Sequence, residues 1–199
     1  DGLAARMSTF SELANVSLYL AAGQPLTDEN VEYVYLGSGY EGDFSPDGLS
    51  YIGRVLVEKP DGTVRASLSI ASTSMKFERG ASDPIGNGGV SLVYGIGSLQ
   101  CVVNDWTFTS EYMQEPIEWR GFVGSPLAGK EATGESYYFQ AAWQARTDVE
   151  VMIRYGEGYA DRADHSGVRI EQATGGAIPA HTQYSKIATA GIRWDVSSQ

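Results

Sequence analysis

The charged residues most able to do chemistry fall inside runs where apolar and polar residues alternate. Arg54, Arg65, Glu111, Arg146, Glu150, Arg154, Lys186 and Arg193 all occupy such runs. If the apolar positions face lipid, these side chains point into a lumen. Charges of both signs there would set a field across a water-filled pore and tune which small ions and solutes pass. Without a bilayer the same residues form a solvated sheet face.

Other constellations carry less. Glu157, Asp161, Asp164 and the backbone near Gly167 could offer oxygens to Ca²⁺, but the D-x-[DN]-x-[DN]-G spacing is missing, and a hydrated acidic loop is the simpler reading. His165 and His181, the only histidines, share that loop with Ser166. No Gly-x-Ser-x-Gly elbow and no HExxH motif accompanies them, so no catalysis and no cofactor are expected. Gly86-Asn87-Gly88-Gly89 lacks the Lys-Ser/Thr of a phosphate loop. The single Cys101 excludes an internal disulfide framework and reads as a small buried apolar residue.

The elements that would position the charges are strands. In 136–196, Tyr137, Phe139, Ala141, Trp143 and Ala145 alternate with Tyr138, Gln140, Gln144 and Arg146. After Thr147-Asp148, Val149, Val151, Ile153 and Tyr155 alternate with Glu150, Met152 and Arg154. A polar loop leads to a third run, with Ala188, Ala190, Ile192, Trp194 and Val196 set against Lys186, Thr189, Arg193 and Asp195. Period-two alternation predicts strands with one apolar and one polar face.

Earlier in the chain, 1–13 shows no clean periodicity and reads as an irregular end or a short helix. Strands are expected over 16–20, 31–36, 51–58, 64–70, 90–103 and 106–112, about nine in all with the last three. Pro25 breaks the chain over 24–30, and 43–48, 73–89 and 115–134 read as loops. Lys59-Pro60-Asp61-Gly62 and Asn104-Asp105 are tight-turn signals. From Lys59 onward the connections alternate short and long. An up-and-down barrel has this rhythm because its periplasmic turns are tight and its extracellular loops are free to grow. Tyr51, Tyr94, Trp106, Tyr112, Tyr137, Tyr155, Tyr184 and Trp194 sit near strand ends, where two interfacial aromatic girdles would place them.

Bulk composition narrows the classes. The 199 residues suit one domain or part of a larger one, with 42% hydrophobic and 20% charged residues. Mean hydropathy is −0.22, which a barrel shares with soluble proteins because half of each strand faces water. A net charge of −11 argues against nucleic acid as partner, since phosphate binding needs clustered Lys and Arg. The start at Asp1 fits a processed or trimmed chain.

Residues 104–199 resemble the porin-like outer-membrane β-barrel proteins of Gram-negative bacteria. The motifs are Asp105-Trp106-Thr107-Phe108-Thr109-Ser110-Glu111-Tyr112, Met152-Ile153-Arg154-Tyr155-Gly156-Glu157-Gly158-Tyr159, the run from Ala173-Thr174-Gly175 to Pro179-Ala180-His181, and Ala190-Gly191-Ile192-Arg193-Trp194-Asp195-Val196. The family pattern continues past this last strand with another aromatic-rich strand, whereas Ser197-Ser198-Gln199 follows here.

The resemblance implies an all-β, antiparallel, up-and-down transmembrane β-barrel, or a large part of one. It would sit in the outer membrane against lipid, closed by a homo-oligomer or a partner chain, and pass small hydrophilic solutes or ions. The alternatives are a secreted soluble β-sandwich binding carbohydrate or protein through aromatics such as Trp119 and Phe122, or a non-conducting barrel scaffold for another protein.

Overall fold

The computed structural model describes residues 2–27 and 31–196. Part of the break expected over 24–30, the first residue of the end expected over 1–13, and 197–199 lie outside them. The strands of the described chain all belong to one antiparallel sheet. Its strands are β1 (Gly2–Phe10), β2 (Asn15–Gly23), β3 (Asp43–Pro46), β4 (Ser50–Glu58), β5 (Val64–Glu78), β6 (Gly88–Val103), β7 (Trp106–Gly121), β8 (Glu131–Arg146), β9 (Val149–Tyr159) and β10 (Tyr184–Trp194). Spatial order follows chain order, β1-β2-β4-β5-β6-β7-β8-β9-β10, with β3 pairing only the far end of β5. The sheet is open, with β1 and β10 as its edges.

Every strand-to-strand connection falls into one of two classes by end. Residues 11–14, 59–63, 104–105 and 147–148 make tight turns at one end, and 24–49, 79–87, 122–130 and 160–183 make longer connections at the other. The tight turns follow their chemistry. Asp61 Oδ1 accepts the Thr63 N–H at 2.9 Å, and Gly62 takes the left-handed φ of 72° that a side chain would resist. Asn104 holds φ 53° in a two-residue turn, as Asn tolerates.

Several expectations change. The segment read as an irregular or helical end is β1, paired along its length with β2. The predicted strand over 31–36 is instead a short helix, α1 (Val31–Leu36). Its Val31, Tyr35 and Leu36, spaced i, i+4 and i+5, pack against buried residues while Tyr33 stays exposed. The expected loops are shorter, because β5, β7 and β8 run well past the predicted strand ends, while β6 keeps close to its own. Part of the 43–48 loop is β3, and the connection 160–183 carries a second helix, α2 (Val168–Ala173), and a 3₁₀ turn (Ala180–Thr182).

Among the described residues one buried cluster stands out, at the long-connection end. Phe44, Met75, Phe77, Ile85, Val90, Leu92 and Phe122 form it, with α1 residues, Tyr94, Ile117 and Trp119 packed against them. Phe44, Phe77 and Phe122 meet with ring centroids 5.2–6.4 Å apart. Asp83 ties the segment before β3 to the 79–87 connection, its carboxylate accepting N–H groups of Glu41 (2.8 Å), Gly42 (2.9 Å) and Gly80 (2.8 Å).

Candidate functional site: a two-faced sheet

Register decides which side chains share a face, because paired residues project to the same side. One face carries Leu3, Met7, Leu18, Leu20, Val55, Val57, Leu68, Ile70, Leu99, Phe108, Phe139, Ile153 and Ile192, an uninterrupted apolar series across the sheet. These are surface residues: Leu68 is 66% exposed, Ile153 62% and Ile192 75%. Small residues (Ser110, Ala141, Ala190) floor a shallow groove there between Phe108, Phe139 and Tyr155. Cys101, half-buried, lines the same groove.

Aromatics sit at two levels of this face. Near the tight turns are Trp106, Trp143 and Trp194, with Trp106 and Trp143 stacked at 6.0 Å and Trp194 Nε1 donating to Asp148 at 3.1 Å. Toward the long connections are Tyr51, Tyr112, Tyr137, Tyr155, Tyr159 and Tyr184. Seven of the eight aromatics expected near strand ends share this face, and Tyr94 does not. It pairs with Ala71 on the opposite face, beside the buried cluster. Trp143 and Tyr159, not among those eight, also share this face and keep the alternation of their strands.

The other face carries Arg6, Ser17, Tyr19, Arg54, Arg65, Ser67, Ser98, Gln100, Thr109, Glu111, Gln140, Glu150, Arg154 and Arg193. Six of the eight charges singled out from sequence therefore share it: Arg54, Arg65, Glu111, Glu150, Arg154 and Arg193. Two do not. Lys186 is opposite Glu157 on the apolar side, because it keeps the phase of Ala188. Arg146 follows a bulge that shifts the register after Gln144, and its guanidinium lies 3.2 Å from Asp148 at the turn. Arg6 was missed because β1 was not read as a strand.

Beyond the tyrosine level both faces change character. On the formerly apolar side come Ser74, Lys76 and Glu78 of β5, Ser91 of β6, Gln114, Glu118 and Arg120 of β7, and Glu131 and Glu135 of β8. On the formerly polar side come Met75, Phe77, Leu92, Val90, Ile117 and Trp119, which meet the loop-end cluster. The polarity of the sheet inverts along its own strands.

At the inversion level a polar network joins strands β7 to β10. Glu157 accepts the hydroxyls of Tyr137 (2.6 Å), Tyr155 (2.5 Å) and Tyr159, and pairs with Lys186 at 3.2 Å. Glu135 accepts the Tyr112 hydroxyl at 2.5 Å and lies 2.8 Å from His165 Nε2, whose ring stacks on Tyr159.

The suggested Ca²⁺ ligands are used otherwise. Glu157 belongs to this network, Asp161 pairs with Arg169 at 2.6 Å, and Asp164 accepts from Ser166 and the Ile170 N–H. Among the described residues no group of three or more His, Cys, Asp or Glu is arranged to hold a metal. The aromatics suggested for a soluble binding surface do not present one, since Phe122 is fully buried and Trp119 packs against the cluster.

No protein-family model, no curated protein and no solved structure matches this chain.

Proposed function

We propose that this sheet is the wall of a porin-like outer-membrane barrel, with the apolar face on lipid and the polar face on a water-filled lumen that passes small hydrophilic solutes. The inversion of polarity along β5, β6 and β7 is the observation that carries this reading. A sheet in a soluble sandwich keeps one buried face along its length. A strand leaving a bilayer changes surroundings instead. Within the membrane its outward residues meet hydrocarbon, and beyond it they meet water. On this reading the tight turns are periplasmic, the long connections extracellular, and the cluster around Phe77 is a cap over the extracellular mouth.

Apolar outward stretches such as Val149–Tyr155 in β9 and 93–103 in β6 bracket the roughly nine to eleven residues a tilted strand needs to cross the hydrocarbon. The tryptophan and tyrosine levels fit the two interfaces.

The test is extraction followed by reconstitution. The protein should require detergent for release from membranes, and in proteoliposomes it should admit small sugars with a size cut-off. Recovery as a detergent-free monomer in the aqueous phase would end the membrane reading, and a properly inserted but impermeable protein would end the channel reading.

A further inference from the structure

The geometry points to a lumen that prefers anions, set by Arg6, Arg54 and Arg154; this rests on the reading above that the polar face lines a water-filled pore. The charges on that face separate into neutralised and uncompensated groups. Arg65 pairs with Glu58 at 2.5 Å, and Arg193 lies 3.8 Å from Glu150, both near the tight-turn end. Arg6, Arg54 and Arg154 have no carboxylate within salt-bridge distance among the described residues. All three are exposed, and each falls inside the apolar stretch of its own strand, at bilayer depth.

Neutral partners hold two of them. The Arg6 guanidinium lies 5.0 Å over the Tyr19 ring, and Tyr19 in turn pairs with Arg54 across β2 and β4. Arg154 lies 4.3 Å over the Tyr138 ring and donates to Gln140 Oε1 from Nε (2.9 Å) and Nη2 (2.6 Å). An aromatic face or an amide oxygen orients a guanidinium without cancelling its charge. Two opposing groups on this face, Glu111 in mid-face and Glu115 beside Tyr94 toward the long connections, have no cation within salt-bridge distance among the described residues.

Three uncompensated cations against two uncompensated anions, one of them at the end beside Tyr94, leave a positive stretch in a chain whose net charge is −11. Charge of one sign between low-dielectric walls concentrates ions of the other sign. Guanidinium also suits carboxylate and phosphate oxygens, so small inorganic and organic anions are the solutes favoured.

The test is the reversal potential of the full chain in planar bilayers under a KCl gradient, with Cl⁻ as the probe anion. The unmodified protein is expected to favour Cl⁻ over K⁺. The triple variant Arg6→Gln/Arg54→Gln/Arg154→Gln should lower the Cl⁻/K⁺ permeability ratio severalfold, and Glu111→Gln should raise it. The corresponding triple Arg→Lys variant should keep the preference, which separates charge from packing. A conducting protein that favours K⁺, or a ratio unmoved in the glutamine variant, overturns the inference while leaving the channel standing. An inserted protein that conducts nothing overturns both.

Discussion

At the scale of the residue, an exposed leucine on this sheet is informative because its neighbours are exposed and apolar too. A lone surface leucine needs no explanation, but a continuous apolar face across nine strands does. Leu68 separates the explanations well, since it is exposed and lies inside the apolar stretch of β5, opposite Val55. In water, Leu68→Arg should change stability by no more than about 0.5 kcal/mol, as surface substitutions do. At the bilayer midplane the same change should cost about 2–4 kcal/mol. We expect the larger figure from denaturant titration of protein folded into lipid vesicles; a loss below about 0.5 kcal/mol would place Leu68 in water.

At the scale of the element, the strands and their tight turns were legible and their ends were not. The turns at Pro60-Asp61-Gly62 and Asn104-Asp105 were found from residue chemistry, and alternation found the strands around them and the turn at Thr147-Asp148 between two of them. The far ends of β5 and β7 were missed because the alternation reverses phase where the polarity inverts. In β7 the apolar positions move from Trp106, Phe108 and Tyr112 to Ile117 and Trp119, so a continuous strand looks like a broken one. Helix α1 was misread because six residues carry both periods, and its contacts with the cap decide between them. Lys186 was assigned to the wrong face by counting across Ile187.

At the long-connection end, Asp83 ties the segment before β3 to the 79–87 connection. Backbone N–H donation, first from Glu41 and then from Gly80 and Gly42, holds its carboxyl below the usual carboxylate range despite the opposing effect of desolvation. A depressed folded pKa contributes stability that is present above the unfolded value, near 3.9, and is lost as pH falls through the folded value. Acidification below about pH 4 should therefore loosen the 79–87 connection before the strands. In limited proteolysis, cleavage there should rise as pH drops, and Asp83→Asn should be cleaved at neutral pH as readily as the parent is in acid. Equal protection of the two proteins at every pH would show that Asp83 does not hold the cap.

At the scale of the whole molecule, the open sheet limits how it can be closed. A bilayer does not tolerate an unpaired edge, because each N–H and C=O left there costs several kcal/mol in hydrocarbon. The path from β1 to β10 contains nine strands, each antiparallel to the next, so β1 and β10 run in the same direction. Joining them directly would make a parallel seam. A second copy in the same membrane orientation would also bring β10 beside β1 in parallel, which counts against closure by a simple ring of copies. An odd number of further strands between β10 and β1 gives an even, wholly antiparallel ring, the form usual for bacterial single-chain barrels. Oxidising cysteine pairs in membrane-extracted protein tests this. In a Cys101→Ser background, Ala5→Cys should form no disulfide with Ala188→Cys or Ala190→Cys, either within a chain or between chains. A cross-link at either pair would show that β1 and β10 are neighbours, and that this wall closes on itself or on its own copies.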